Sequence, residues 1–455
     1  MYKKSSKKII IVGGNAAGPS AAAKAKRVDP SAEVILIEAG EFISTGTCEL
    51  PYVLSGEIKD YKNIVFFDPE SFQKEKNVKV YNFHFVEKID TKKKKIFVRN
   101  LKSNFLTEFE YDALILATGS KAKSYPPLLN NFKNVFSLKS VQDYLKIKHY
   151  LTDNTVKNVL VIGAGYIGIE SAEAFVKLGY NVIIVEKEDL PFPGIEIETR
   201  HLILEKLKQN NVEFYGKVDN AKFITENNKV VGVNILGNIL EIDLVLVAIG
   251  FVPNVDLAVS SSLKLGNYGG IRTDNKLRTS DSSIFAAGDN IEVLNAITKQ
   301  YDYIPLATIA HEYGHIAGEN AAGGNLKAEP VIKNIAVKIF DNILVSVGLS
   351  TKELERTKFN YTVVIAVAQN LVKVMPESSK VFGKIIYDKF SHQVLGANFF
   401  GGKEVIGFGD MISSFILNKN KIETLANINY NYTPPASPFI NILSILGRKV
   451  TQNAF

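Results

Sequence analysis

The chain has 455 residues, 46% of them hydrophobic and 22% charged, the make-up of an ordinary globular protein of about three domains. A single cysteine excludes a disulfide scaffold and points to a reducing, cytoplasmic setting. The net charge of +7 is spread over lysine runs such as Lys92 to Lys95, which read as solvated loops and not a nucleic-acid surface, and no apolar run approaches the ~18 residues of a membrane span.

The first predicted element is a buried strand, Ile9-Ile10-Ile11-Val12, behind Lys3-Lys4 and Lys7-Lys8. Its apolar run falls short of the ~7–15 residues of a signal-peptide core, and glycines follow at once. The turn Gly13-Gly14-Asn15-Ala16-Ala17-Gly18 opens an Ala-rich helix to about Val28, Pro30 ends it, and Val34 to Glu38 forms the next strand. Ten residues on, the one cysteine sits in Ile43-Ser44-Thr45-Gly46-Thr47-Cys48-Glu49-Leu50-Pro51-Tyr52. A strand then ends on Ala117-Thr118-Gly119.

The opening unit recurs. Asn158 to Ile162 is a strand, Gly163-Ala164-Gly165-Tyr166-Ile167-Gly168 a glycine turn, and a helix follows to Leu178 with Gly179 as its C-cap. Val182 to Glu186 is the next strand, and Ile242 to Gly250 matches the segment that ends at Gly119. Thr279 to Asp289 ends another strand on Gly288-Asp289. Continuous apolar strands alternating with helices predict parallel sheets buried on both faces. From about residue 326 this rhythm stops. Ile335 to Val347, Tyr361 to Ala368 and Val381 to Tyr387 read as strands, Gly409 to Leu417 as a helix, and the Tyr430 to Pro435 tail as irregular.

A glycine-rich turn between strand and helix lets backbone N–H groups approach a pyrophosphate, and an acid at the end of the second strand can accept from an adenosine ribose. Glu38 and Glu186 both hold that place. One such turn is weak evidence, and the first copy has Asn15 where the second glycine would be, but two correctly built copies make chance a minor reading. Asp289 suits ribityl or ribose hydroxyls, or else caps a following helix.

On these residues the chain resembles the pyridine nucleotide–disulfide oxidoreductases over nearly its whole length. The resemblance implies an α/β protein with two nested Rossmann-like units and a C-terminal α+β dimerisation domain. Residues 1–120 with 251–325 would bind FAD, 121–250 NAD(P)H, and 326–455 would form a homodimer interface. Gly13, Gly14, Asn15, Ala17, Gly18, Glu38, Ala117, Thr118, Gly119, Gly288 and Asp289 would surround FAD. Gly163, Gly165, Ile167, Gly168, Glu170, Glu186 and Gly250 would line the nicotinamide channel, with Tyr166 at the flavin face. Glu186 implies NADH over NADPH, and Lys187 softens that preference.

A lone cysteine is more often a small buried hydrophobe than a nucleophile. The Ser44-to-Tyr52 segment, however, resembles the Ser-x-x-x-Cys-x-x-Pro-Tyr stretch of coenzyme A–disulfide reductases and related single-cysteine enzymes. A Cys-x4-Cys pair is absent. The resemblance implies electron flow from NAD(P)H through FAD to Cys48, which reduces an external disulfide or persulfide. Ser44 and the Tyr432 of a partner subunit would assist. A helix start after Cys48 should lower its pKa, and Glu49 should oppose that. Ala16, where the resembling peroxidases and oxidases have histidine, argues against peroxide. Ser20, Lys24, Arg27, Thr47, Lys76 and His311 are the implied coenzyme A contacts, although Lys24 and Arg27 equally suit a solvated helix face. Ile440 or Asn441 stands where the family has lysine or aspartate, and Leu371 to Pro376 departs from its aromatic pair. Two other readings stay open, an NADH oxidase and an electron-transfer flavoprotein in which Cys48 is incidental. No metal site is expected.

Overall fold

The computed structural model describes residues 6–219 and 221–452. Strands Lys8–Val12, Glu33–Ile37, Lys79–Tyr81, Ala113–Leu116 and Ile284–Ala286 form one parallel sheet with Lys8–Val12 at its centre. Ile9, Ile10 and Ile11 are fully buried, as a strand covered on both faces requires. A second parallel sheet has Asn158–Ile162 at its centre, Asn181–Val185 and Glu213–Tyr215 on one side, and Leu244–Val247 and Val135–Phe136 on the other. The two sheets share the inner order but differ in the outer strand, which comes last in the chain in the first (Ile284–Ala286) and first in the second (Val135–Phe136), and in both the chain reverses direction of winding beside the central strand. That reversal opens a crevice at the carboxyl ends of the strands, where the glycine turns lie.

The duplication reaches further than the motifs. Each unit carries a three-stranded antiparallel meander, His84–Asp90 to Leu106–Glu110 in the first and Lys222–Glu226 to Asn238–Glu241 in the second. Ser120–Ala122 pairs antiparallel with Phe251–Pro253, so the paths into and out of the second unit form one short ribbon. The helix Tyr166–Lys177 ends with Gly179 at φ +87°, and Tyr180 N–H and Gly179 N–H return to the carbonyls of Phe175 and Val176. The expected glycine stop is therefore a two-bond helix end of the Schellman type.

The rest of the chain forms an antiparallel sheet in the order Asn334–Ile339, Asn342–Gly348, Val394–Gly401, Lys380–Asp388, Tyr361–Gln369. Helices Glu404–Leu417 and Ile442–Gln452 pack on it. Two expectations need correction. Ile335 to Val347 is a hairpin, broken at Phe340-Asp341 with Phe340 at φ +55°. The predicted helix begins at Glu404 and not Gly409, because Gly409 sits against Val345, where a Cβ would come within 2.5 Å of its methyl. Packing there overrides glycine's low helix propensity.

This sheet is fastened to the second unit by buried charge. Lys384 Nζ lies 2.6 Å from Glu196 and 2.8 Å from Glu198, and Glu196 also accepts from the Thr351 N–H at 2.8 Å. No helix among the described residues is long and apolar enough to cross a membrane.

Candidate active site

The first glycine turn starts from the central strand and runs into the helix Ala17–Val28. A Cβ on Gly18 would stand 1.8 Å from the Gly13 carbonyl, and one on Gly168 2.0 Å from that of Gly163, so the last glycine of each turn brings helix against strand. Gly165 has no atom within 4 Å on that side, leaving backbone open to a ligand. Glu38 accepts from Gly14 N–H at 2.6 Å and Glu186 from Ala164 N–H at 2.7 Å, so each acid is fixed to its own turn.

Asn15, the departure from the glycine pattern, has a definite task. Its Oδ1 accepts from Thr45 N–H at 2.9 Å, and Ser44 N–H donates to the Gly14 carbonyl at 2.7 Å. The cysteine segment is thereby tied to the first glycine turn, with Ser44 held at φ +51°, a costly region for serine. Thr47 to Glu49 form a single tight turn that continues into the short helix Leu50–Leu54. The Cys48 side chain is solvent-accessible.

Of the two expected influences on its acidity, the one from Glu49 prevails and the one from the helix start does not. Burial by surrounding protein pushes the thiol pKa up, Glu49, Glu170 and Asp289 push it further, and only Lys139 opposes them. A five-residue helix cannot reverse this. Glu170, on the helix after the second glycine turn, accepts from Tyr52 Oη at 2.9 Å, and burial raises its carboxyl to about 7. Asp289 is no helix cap. Gly288, at φ +96°, turns the chain, and the next long helix begins at Ala307. The Asp289 carboxylate instead accepts from Ser120 Oγ at 2.9 Å and stands 3.5 Å from Lys139 Nζ. Tyr166 is 40% exposed, edge-on to Phe192.

The comparisons decide the family. A family model described as pyridine nucleotide-disulphide oxidoreductase matches residues 7–314. The chain belongs to this family. It is 29% identical over 437 residues to the NADH oxidase of Methanocaldococcus jannaschii, covering 96% of this chain and 97% of that protein. It is also 29% identical over 453 residues to the NAD(P)H coenzyme A polysulfide/persulfide reductase of Pyrococcus horikoshii, covering 97% and 98%. The solved structure of reduced Bacillus anthracis CoADR-RHD superposes with TM-score 0.94 at 30% identity, over 98% of this chain and 80% of that one. As a member, this oxidoreductase is FAD-dependent and takes its electrons from NAD(P)H.

The residues fit such a cofactor. Gly119 and Gly165 present open backbone at the ends of parallel strands, and the buried Asn290 Oδ1 beside Asp289 has no partner among the described residues. Ala117, Thr118 and Gly119 line the same end, with Thr118 Oγ1 donating to the Asn254 carbonyl at 2.6 Å. Gly250 is left-handed at φ +98° with open space beside it.

The expected coenzyme A contacts fall into separate groups. Ser20, Lys24 and Arg27 face the helix Ala307–Ala321, which approaches closely because Gly314 and Gly318 lie against Ala17 and Ala21. Ser20 Oγ donates to the His311 carbonyl at 2.8 Å, Lys24 pairs with Glu319 at 2.7 Å, and Arg27 lies 3.5 Å from His315. Thr47 adjoins Cys48. Lys76 sits over the Phe67 ring at 5.0 Å, and Phe67 pairs with Ile43 at the start of the cysteine segment. Tyr432 is 49% exposed on the tail, edge-on to Phe439.

Sequence reasoning missed Tyr52 as a partner of Glu170, and Lys139, Ser120, Asn254 and Asn290 around Asp289. Tyr52 closes the quoted cysteine segment and Asn290 follows Gly288-Asp289, but their partners lie far along the chain, and only the fold brings them together.

Proposed function

We propose that this oxidoreductase reduces a low-molecular-weight disulfide or persulfide through Cys48, with coenzyme A disulfide as the first choice of substrate. The observation that carries the reading is the accessible thiol on a segment tied by Asn15 to the first glycine turn. When bound, FAD supplies two-electron transfer from NAD(P)H to sulfur. The protein's residues do the rest. Glu38 and Asp289 hold hydroxyls of the flavin nucleotide, Glu186 holds the ribose of NADH, and Cys48 forms the mixed disulfide that is then reduced. The balance is NAD(P)H + H⁺ + RSSR giving NAD(P)⁺ + 2 RSH.

The same reading assigns residues 1–120 with 251–325 to FAD, 121–250 to NAD(P)H and 326–455 to a homodimer interface. The exposed Tyr432, Phe439 and Ile440 support a partner subunit there. Arg27, Lys76 and His311 would meet the phosphates of coenzyme A. Two relatives bear on the substrate, since the Pyrococcus protein carries coenzyme A and polysulfide/persulfide in its name and the Methanocaldococcus protein is named an oxidase. The oxidase reading draws support from the raised thiol pKa, which leaves less thiolate for attack on a disulfide.

Cys48→Ser separates them. It should still pass electrons from NADH to artificial dyes while disulfide reduction falls roughly 10³-fold or more. Disulfide turnover at the wild-type rate in this variant would refute the thiol mechanism, and full oxygen consumption without disulfide turnover in the native enzyme would establish the oxidase.

A further inference from the structure

The Cys48 segment is anchored at both ends, to different parts of the fold. At its near end Ser44 and Thr45 are bonded to the first glycine turn, through the Gly14 carbonyl and Asn15. Its far end leaves that unit. Leu50, Val53 and Leu54 share a buried core with Ala172 and Phe175 of the helix Tyr166–Lys177 and with Val337 and Ile339 of the C-terminal sheet. Beside this core lies an ionic cluster. Glu173, with only 6% of its side chain exposed, takes Lys177 at 2.7 Å, Lys338 at 2.6 Å and the Phe340 N–H at 2.6 Å. Glu57, just past the helix Leu50–Leu54, takes the same two lysines, with Lys338 at 3.5 Å. An exposed ion pair by itself contributes little, because two long side chains must be ordered to make it. Here the buried Glu173 carboxylate already requires cations, so both lysines are held in place before Glu57 meets them.

We propose that Glu57 is a positioning residue for the thiol step. It ties the far end of the Cys48 segment to the second glycine-turn helix through Lys177 and to the C-terminal sheet through Lys338. The inference rests on the thiol mechanism proposed above. Cys48 lies between the two anchors, on a backbone that runs without a break from the tight turn Thr47–Glu49 into the helix Leu50–Leu54. Anchors at both ends fix this turn between the two nucleotide units, whereas the near anchor alone would leave its far side held by apolar contacts without direction. A reacting group displaced by about 1 Å can lose about a hundredfold in rate, so the directional tie bears on turnover more than on folding.

The test compares NADH-dependent reduction of coenzyme A disulfide and of an artificial dye by holoenzyme variants of equal flavin content. Glu57→Gln should lower kcat for the disulfide about tenfold or more, while KM for NADH and the dye rate stay within about twofold. Lys338→Met should lower it about threefold or more, since Lys177 still holds Glu57, and this variant carries the test if Glu57→Gln fails to fold. Lys338→Arg retains the charge and should keep about half of the native kcat or more. Glu57→Gln and Lys338→Met change the local charge in opposite directions, so charge acting through space would move kcat in opposite directions. Lys206, 2.8 Å from Asp341, joins the same C-terminal hairpin to the second unit by a separate ion pair, and Lys206→Met should stay within about twofold of native. Native kcat in Glu57→Gln, opposite changes in the two variants, or an equal loss in Lys206→Met would overturn the proposal. If Cys48→Ser is inactive on the disulfide, only the positioning role has then failed. If Cys48→Ser matches the native enzyme on it, the thiol mechanism has failed and the positioning role with it.

Discussion

Replacing Lys384 by methionine should expose the strength of the junction between the second unit and the C-terminal sheet. The lysine side chain is 6% exposed and that of Glu196 only 1%, so neither charge can turn to water when its partner is lost. Removing one partner of a buried pair costs roughly 3–5 kcal/mol, because the other charge is left without compensation. The low end applies to Lys384→Met, since the Thr351 N–H at 2.8 Å and its hydroxyl at 3.1 Å still donate to Glu196. Glu196→Gln should cost less, because Glu198 remains 2.8 Å from the lysine and is 35% exposed. The double variant Lys384→Met with Glu196→Gln leaves no buried ion and should recover to within about 1 kcal/mol of the native protein. Urea unfolding of the four holoproteins at equal concentration, followed by circular dichroism and flavin release, closes this cycle. A coupling of about 2 kcal/mol or more is expected. If Lys384→Met loses less than about 1 kcal/mol, or if the double variant loses the sum of the singles, the ion pair does not hold the junction.

Glu170 predicts a pH dependence of stability. Its carboxyl titrates at about 7 in the fold against 4.5 unfolded, so between those values the native state holds a proton that the unfolded chain has released. Stability therefore falls as pH rises from 4.5 to 7 and levels off above, by at most about 3 kcal/mol at ~1.36 kcal/mol per pH unit. Glu170→Gln should match the native thermal midpoint near pH 4.5 and exceed it at pH 8, and equal midpoints at both would contradict the burial argument. Glu186→Ser should raise the NADPH-to-NADH ratio of kcat/KM about tenfold, or ~1.4 kcal/mol, by removing the carboxylate that repels a 2′-phosphate. An unchanged ratio would take Glu186 out of the ribose site. Arg27→Gln should raise KM for coenzyme A disulfide more than Lys24→Gln does, because Lys24 is already paired with Glu319 at 2.7 Å, and the difference should shrink at high salt. If both substitutions change KM for coenzyme A disulfide no more than KM for a small uncharged disulfide, this face is not part of the substrate site.

The repeated strand, glycine turn and acid were legible because each follows from local rules. Apolar runs such as Ile9 to Val12 specify strands buried on both faces, and Gly13 to Gly18 and Gly163 to Gly168 specify turns that only small residues can make. Glu38 and Glu186 were legible for the same reason, since the distance from turn to acid is fixed by one helix and one strand. Val394 to Gly401 was not, because a fully buried strand has no alternation to read and its glycines and asparagine imitate a turn. The surroundings of Cys48 were hidden more deeply. The helix start after it suggested a more acidic thiol, but Glu170 and Asp289 lie far along the chain, and only the packing of the glycine-turn helix and the closing of the sheet bring them to the sulfur. The same holds for Lys338, which reaches Glu173 from another sheet. Sequence by itself determined which segments could bind a nucleotide, through backbone geometry encoded within a few residues. Tertiary structure decided which distant charges join the neighbouring Glu49 at the thiol and how deeply the thiol is buried, because electrostatic energy depends on distance through space and on burial, and neither is written in the order of residues.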